Sequence, residues 1–171
     1  MIDRADVVVG LAWGDEAKGK IASQLASSIG NNGLPYYNMV ARWGGGNNAG
    51  HTVVVNDKKY KTHLVPSGVF YGVQSLIGPG CVLHPESFHK ELAYLAENGF
   101  DTSLVKVAPN CHIVLDKHIT FDKENLAKKL GTTGRGIGPC YADKAARAGV
   151  LAIDALDSEF IWNGKLEGNL L

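Results

Sequence analysis

Asp15, Lys18 and Lys20 fall within seven residues, Gly14-Asp15-Glu16-Ala17-Lys18-Gly19-Lys20, that spell G-x-x-x-x-G-K. In such a frame the backbone N–H groups at a helix start cradle phosphate oxygens, and the lysines add positive charge. The next residue is Ile21, where a standard phosphate loop carries the Ser or Thr hydroxyl that holds Mg²⁺. A carboxylate is a hard oxygen ligand, so Asp15 is the natural replacement on the metal. The chemistry expected of this stretch is nucleotide binding with Mg²⁺.

Two further stretches carry residues of the same kind. "ARWGGGNNAGHTVV" places Gly44, Gly45 and Gly46 before Asn47, Asn48, Ala49, Gly50, His51 and Thr52. So many flexible residues are costly to order, and an ordinary hairpin does not need them; a backbone that wraps a planar or charged ligand does. His51, at the end of that loop, is a candidate for proton transfer or charge stabilisation. "LGTTGRGIGPCYADKAARAG" combines Thr132 and Thr133 with Arg135, Lys144 and Arg147. Hydroxyls and guanidinium groups suit a phosphate monoester, through charge-assisted and bidentate hydrogen bonds.

The elements that must position these loops alternate between strand and helix patterns. "ADVVVGLAW" (Ala5–Trp13) is a Val-rich apolar run of the kind buried on both faces in a parallel sheet. After the glycine loop, Ile21, Leu25 and Ile29 recur at helical spacing, and Gly30 is placed to close that helix in the left-handed conformation. Tyr37–Trp43 reads as a second strand, and "HTVVVNDKKYKTHLV" as a hairpin turning at Asn56-Asp57. Ser75–Gly78 reads as a strand, and about Glu86 to Glu97 as a helix, with Pro85 at its first turn and Gly99 just past its end. "LVKVAP" and "HIVLD" read as strands and "FDKENLAKKLG" as helix. The whole of residues 1–171 is expected to form a single α/β domain, with a mostly parallel central sheet, flanking helices and the glycine loop after the first strand.

Composition narrows the partners. Seventeen basic residues balance seventeen acidic ones and the pI is near 7.0, without the basic excess of a general nucleic-acid binder. The three cysteines, Cys81, Cys111 and Cys140, are far apart and make no C-x-x-C pair, so they read as free thiols in a reducing compartment. No apolar stretch approaches the roughly 20 residues needed to span a bilayer, and the N-terminus does not read as a secretory signal. The expectation is a cytoplasmic protein that engages neither nucleic acid nor membrane.

Taken in order, "WGDEAKGK", "GGNNAGHTVV" with "HLVPSG", and "GTTGRGIGPCYADKAAR" resemble the consecutive signatures of the adenylosuccinate synthetase family, over nearly the whole chain. The resemblance implies an α/β fold and a GTP-dependent ligase. In that family GTP phosphorylates the 6-oxygen of IMP, and the amino group of L-aspartate then displaces phosphate. By the match, Asp15 is the base at the purine N1 and a Mg²⁺ ligand, and His51 acts at the 6-oxygen and the transferred phosphoryl. The backbone of Gly50 is a second Mg²⁺ ligand. Lys18, Asn48 and Thr133 contact IMP, Gly14 to Lys20 form the GTP phosphate loop, and Arg147 reaches the IMP phosphate across a homodimer interface.

Three positions depart from the family pattern: Ala17 stands where Gly is usual, Ser23 where Asp is usual, and Ala12 where Gln is usual. Should the backbone at Ala17 need a positive φ, the side chain costs about 1 kcal/mol. The changes lie beside the purine and phosphate sites, and a phage-type branch of the family acts on a guanine nucleotide such as dGMP, leaving the donor open between GTP and another purine triphosphate. Family members are also much longer. Their aspartate-binding, guanine-recognising and ribose-contacting parts lie beyond the matched region, so the chain is expected to be either the N-terminal portion of a longer protein or a shortened relative that binds without completing the reaction.

Overall fold

Short β-branched runs pair in parallel to make the frame of the molecule. In the computed structural model, which describes residues 4–12, 14, 16–155 and 169, the first regular element is helix α1 (Lys18–Ala26). Strand β1 (Met39–Arg42) follows, then the antiparallel hairpin β2 (His51–Val55) and β3 (Lys58–Thr62), and strand β4 (Gln74–Ile77) after a 3₁₀ turn at Ser67–Tyr71. Next come β5 (Val82–Leu83), helix α2 (Pro85–Glu97), β6 (Val105–Val107) and β7 (His112–Ile113). Helix α3 (Asp116–Phe121) runs through a π turn (Asp122–Leu126) into α4 (Ala127–Leu130), and α5 (Ile137–Ala145) closes the series.

The sheet order is β1-β4-β6, all parallel, with Ala41 opposite Leu76 and Leu76 opposite Lys106. The parallel alignment continues beyond these strands: Gly45 bridges Cys81, and β5 pairs β7. The chain leaving β1 therefore carries the triple-glycine loop past the ends of the neighbouring strands. Beneath lies one large core in which Leu64, Ile77, Leu83, Phe88, Leu95, Val105, Val107 and Ile113 are inaccessible to solvent. Helix α2 contributes Phe88, Glu91 and Leu95 to that face, a spacing of three and four that fits the helical period. Tyr60, Phe70 and Phe100 pack with ring centroids 4.9–5.5 Å apart.

Most of the expected elements are present. Asn56 and Asp57 both have positive φ (48° and 61°), as the tight hairpin turn requires. Pro85 opens α2 and Gly99, at φ +82°, follows its end. The cysteines are all free and buried. Among the described residues no helix is long and apolar enough to cross a membrane.

Two expectations are corrected. The described part of Ala5–Trp13 is not a strand: it pairs with no other segment among the described residues, and Val7, Val9 and Leu11 are 81%, 66% and 96% exposed. A Val-rich run states a preference for burial in a sheet, but the ladder needs a neighbour to pair with. Trp13 itself lies outside the described residues. The first helix also ends sooner than expected, at Ala26, and Gly30 does not adopt the left-handed conformation. Instead the Gly30 N–H donates to the Leu34 carbonyl in a turn, and Ile29 is left 63% exposed outside the helix.

Candidate functional site

The glycine loop meets α1 at Ala17, which adopts the left-handed conformation (φ 59°, ψ 25°) as the helix N-cap. A non-glycine residue there costs about 1 kcal/mol, and the backbone accepts the cost to turn from the loop into the helix. Glu16 occupies the mouth of the loop. Its carboxylate accepts the N–H of Ala12 (2.9 Å) and of Gly14 (3.1 Å) and pairs with the Lys18 ammonium. The Lys18 contact, helped by the backbone donors, pulls the Glu16 carboxyl down to about 2. Donors at this loop thus already hold an oxyanion, which is the property a phosphate-binding loop needs. Lys20 is exposed on α1. Asp15 lies outside the described residues.

His51 begins β2, and its ring rests on the first turn of α1: a methyl group at Gly19 would lie 3.0 Å from its Nδ1 and 3.2 Å from its Cγ. Only glycine at that position lets the imidazole approach the helix start this closely. Burial, together with the positive charges of Arg42, His63 and Lys18, lowers the His51 pKa below its ordinary value, so the ring is neutral near pH 7. The loop before it is held from below. Arg42 donates to the carbonyls of Gly44 (3.1 Å), Gly46 (2.8 Å) and His63. Gly45 N–H donates to the Tyr141 hydroxyl at 2.8 Å, and that hydroxyl donates in turn to the Gly80 carbonyl, also at 2.8 Å. Asn48 accepts the Gly46 N–H at 3.3 Å, while Ala49, Gly50 and Thr52 are exposed.

In the third loop the expected phosphate group divides into residues turned inward and residues left free. Thr132 donates to buried Asp122 (2.5 Å), and Lys144 is committed to the Pro79 carbonyl. These contacts occupy the hydroxyl of Thr132, itself an exposed residue, and the Lys144 ammonium. Thr133 and Arg135 are exposed, and both line a hollow of about 270 Å³ with Asn47, His84, Ser87 and Lys123. A second hollow, of about 260 Å³, shares Asn47, Ser87 and Arg135 and adds Lys61, His63 and Lys90. Neither hollow has His51 in its lining.

Arg147 terminates α5 at φ +59°. Its N–H bonds to the Lys144 carbonyl (3.1 Å) and the Ala148 N–H to the Asp143 carbonyl (2.9 Å), a Schellman ending whose left-handed residue is ordinarily glycine. An arginine at that position carries left-handed strain that glycine would not, and its side chain is exposed.

Several positioning residues are not singled out by sequence reasoning: Arg42 and Tyr141 under the triple glycine, and Asp122 beneath Thr132. Glu91 is another. Its buried carboxylate accepts the N–H groups of His63, Leu64 and Val65 at 2.9–3.2 Å, fixing the chain after β3. A charged residue at an apolar-face position of α2 is the one signal that could have found Glu91, since buried carboxylates need donors. Among the described residues, no three His, Cys, Asp or Glu side chains cluster as a metal site. The carboxylate and carbonyl oxygens of Asp15 and Gly50 are the donor types that suit Mg²⁺.

With the loops placed, the comparisons with known proteins are specific. The family model for adenylosuccinate synthetase matches residues 7–170. The adenylosuccinate synthetases of Brevibacillus brevis and Lactococcus lactis subsp. cremoris are 47% and 46% identical over 169 residues, covering 96% of this chain. The chain spans 37% of the length of these relatives. The structure of fully ligated adenylosuccinate synthetase from Plasmodium falciparum superposes with a TM-score of 0.71 at 39% identity, over 85% of this chain and 34% of that one. Cyanophage S-2L succinoaminodeoxyadenylate synthetase, bound to dGMP and dATP, shares the fold with a TM-score of 0.63 at 22% identity, over 87% of this chain and 41% of that one. Phosphate-type loops on a parallel sheet, a family match along nearly the whole chain and relatives near half identity agree, and the chain belongs to the adenylosuccinate synthetase family.

Proposed function

We propose that this chain is the nucleotide-binding portion of a purine-nucleotide ligase that condenses IMP with L-aspartate, driven by GTP, to give adenylosuccinate through a 6-phosphoryl intermediate. The observation that carries the reading is the His51 ring seated against Gly19 at the mouth of the phosphate loop. A neutral imidazole there can donate an N–H to an oxygen that is gaining charge. An arriving phosphate offsets the cations that lower its pKa, which readies it to hold a proton.

Asp15 takes the N1 proton of the purine, which makes the 6-oxygen a stronger nucleophile. Gly14, Asp15, Glu16, Ala17, Lys18, Gly19 and Lys20 hold the triphosphate, with Glu16 giving up the loop donors it now occupies. Lys18, Asn48 and Thr133 meet the monophosphate nucleotide, alongside the loop of Ala49, Gly50 and Thr52. Arg147 acts across a homodimer interface. Asp15 and the Gly50 carbonyl would hold Mg²⁺, which when bound stabilises charge on the transferring phosphoryl.

A second reading, condensation of aspartate with dGMP in the manner of the phage-type branch, is favoured by one residue. Ser23, one helical turn beyond Gly19, is buried, and its hydroxyl bonds with that of Tyr71 at 2.8 Å. A neutral hydroxyl stands where the family pattern usually has a carboxylate. Calorimetric titration with IMP, dGMP and GTP, run beside a coupled turnover assay, separates the two. Tighter binding and turnover of dGMP would displace IMP as substrate, and binding without turnover would reduce the chain to a module needing another segment. In the complete enzyme Asp15→Asn is expected to lower turnover about 10²–10⁴-fold, the scale of positioned acid–base catalysis; near-normal activity refutes the assigned base.

A further inference from the structure

Asp122 belongs to none of the three loops, yet it is only 3% exposed. A buried carboxylate must be matched by donors, and both of its oxygens are. Thr132 Oγ1 donates to Oδ1 at 2.5 Å and the Gly136 N–H donates to Oδ2 at 2.8 Å. One side chain thus pins both ends of a five-residue loop and leaves Thr133 and Arg135 standing free between the pins, in the wall of the same hollow.

The surrounding elements support this brace. Asp122 opens the π turn between α3 and α4, an irregularity frequent at functional sites. Gly136 has φ +72° and lies on the backbone of α3, where a methyl group would come within 2.8 Å of His118 C and Ile119 N. Helix α5 is tied to α3 by Asp143, which bonds to His118 Nε2 (3.0 Å) and Lys117 Nζ (2.6 Å). A hydroxyl recognises a phosphate oxygen only if it is held in place beforehand, because ordering a free loop on binding costs affinity. The charge of Asp122 is directed inward, away from an anion in the hollow.

We infer that Asp122 is a positioning residue for the nucleoside monophosphate, holding the Thr132–Gly136 loop so that Thr133 meets the phosphate. The inference rests on the proposed reading of Thr133. It distinguishes asparagine from alanine: an amide can offer its oxygen to the Gly136 N–H, in place of the carboxylate Oδ2, and turn its NH₂ toward Thr132, whose hydroxyl can also accept.

In the complete protein, Asp122→Ala is expected to weaken IMP binding at least about tenfold by calorimetry and to change GTP binding less than twofold, with Asp122→Asn restoring most of the loss. In a Thr133→Val background the same change should cost less than threefold, because residues acting as one unit are not additive. Equal weakening of IMP and GTP, fully additive losses, or an asparagine variant as poor as alanine would each overturn the inference. A ligand-free readout separates it from the functional reading: amide exchange at Gly136 should quicken about tenfold in Asp122→Ala and stay near normal in Asp122→Asn. Unchanged exchange refutes the brace whether or not IMP binds. If the unsubstituted protein fails to bind IMP, the functional reading falls, and Gly136 exchange still decides the brace. Should Asp122→Ala not fold, Asp122→Ser, with one acceptor retained, undergoes the same measurements.

Discussion

The first and third loops are both glycine-rich and both suited to phosphate, but they are ordered by opposite means. The third is fixed from outside itself: buried Asp122 holds Thr132 and Gly136, and Asp143 ties α5 to α3. The first is held by its own Glu16, which among the described residues bonds to Ala12, Gly14 and Lys18. The chain leading into it, with Val7, Val9 and Leu11, is exposed. Local, solvent-facing contacts of this kind add little stability, whereas buried contacts between distant elements are lost only when the fold opens. The third loop therefore presents a preset surface, and the first a set of donors that an incoming anion can take over from Glu16.

The sharpest way to break this contrast is to attack the third loop where it has no slack. Gly136→Ala combines a left-handed backbone with a methyl group 2.8 Å from the α3 backbone. Left-handed strain of about 1–2 kcal/mol adds to overpacking of about 1–3 kcal/mol, so the expected loss is around 3 kcal/mol. Urea denaturation of the variant beside the parent protein measures it. A loss below about 1 kcal/mol would mean that the third loop is as loosely held as the first.

How much of this was legible in the sequence follows the same division. That these stretches are loops leading into helices was legible, because clustered glycines and the G-x-x-x-x-G-K frame mark them locally. So were the hairpin at Asn56-Asp57 and helix α2 with Pro85 and Gly99, whose determinants are local. What supports the loops was not legible. Asp122, Glu91 and Tyr141 act on partners far away in the chain, Arg42 on near and distant backbone carbonyls alike, and polar residue types do not announce which way they face. Thr132 and Lys144 show the same thing, since their types do not say that one bonds the Asp122 carboxylate and the other the Pro79 carbonyl. The run Ala5–Trp13 shows the converse. Its composition speaks for burial, but a strand exists only where another strand meets it.

A smaller and graded effect should appear with acid, and it sharpens the comparison because a histidine sits beside each loop. His84 lines the hollow of the third loop and caps α2 by accepting the Ser87 N–H at Nδ1; burial lowers its pKa, as it does that of His51 beside the first loop. A depressed histidine pKa means that the unfolded chain binds the proton first. The stability contributed is complete above about pH 6.5, and it is lost as the pH falls through the lower folded values. Glu16 and Asp143, both held down to about 2, contribute stability that is complete above the ordinary carboxylate range and is lost only as the pH falls from that range toward 2. The urea midpoint should therefore drop between pH 7 and pH 5. NMR titration should give His51 a midpoint that rises when GTP is bound, while His84, in the hollow of the third loop and committed to Ser87, moves less. A midpoint for His51 at or above the ordinary histidine value in the free protein contradicts the electrostatics described for the first loop.

The smallest effect is expected at the entry to the first loop itself. Ala17 holds φ 59° and ψ 25° with no capping side chain, a conformation that glycine adopts without strain. Ala17→Gly removes about 1 kcal/mol of left-handed strain but gives the unfolded chain more freedom, which offsets part of the gain. The net stabilisation should be below about 1 kcal/mol, at the limit of what denaturation resolves. Function offers the better readout. If the first loop must release Glu16 and close around phosphate, a glycine at the hinge should tighten GTP more than IMP, since Thr133 and its brace are untouched. Calorimetric titration of both nucleotides with Ala17→Gly tests this. A variant that gains affinity equally for the two nucleotides would show that the loops are coupled after all, and that their different supports do not make them independent.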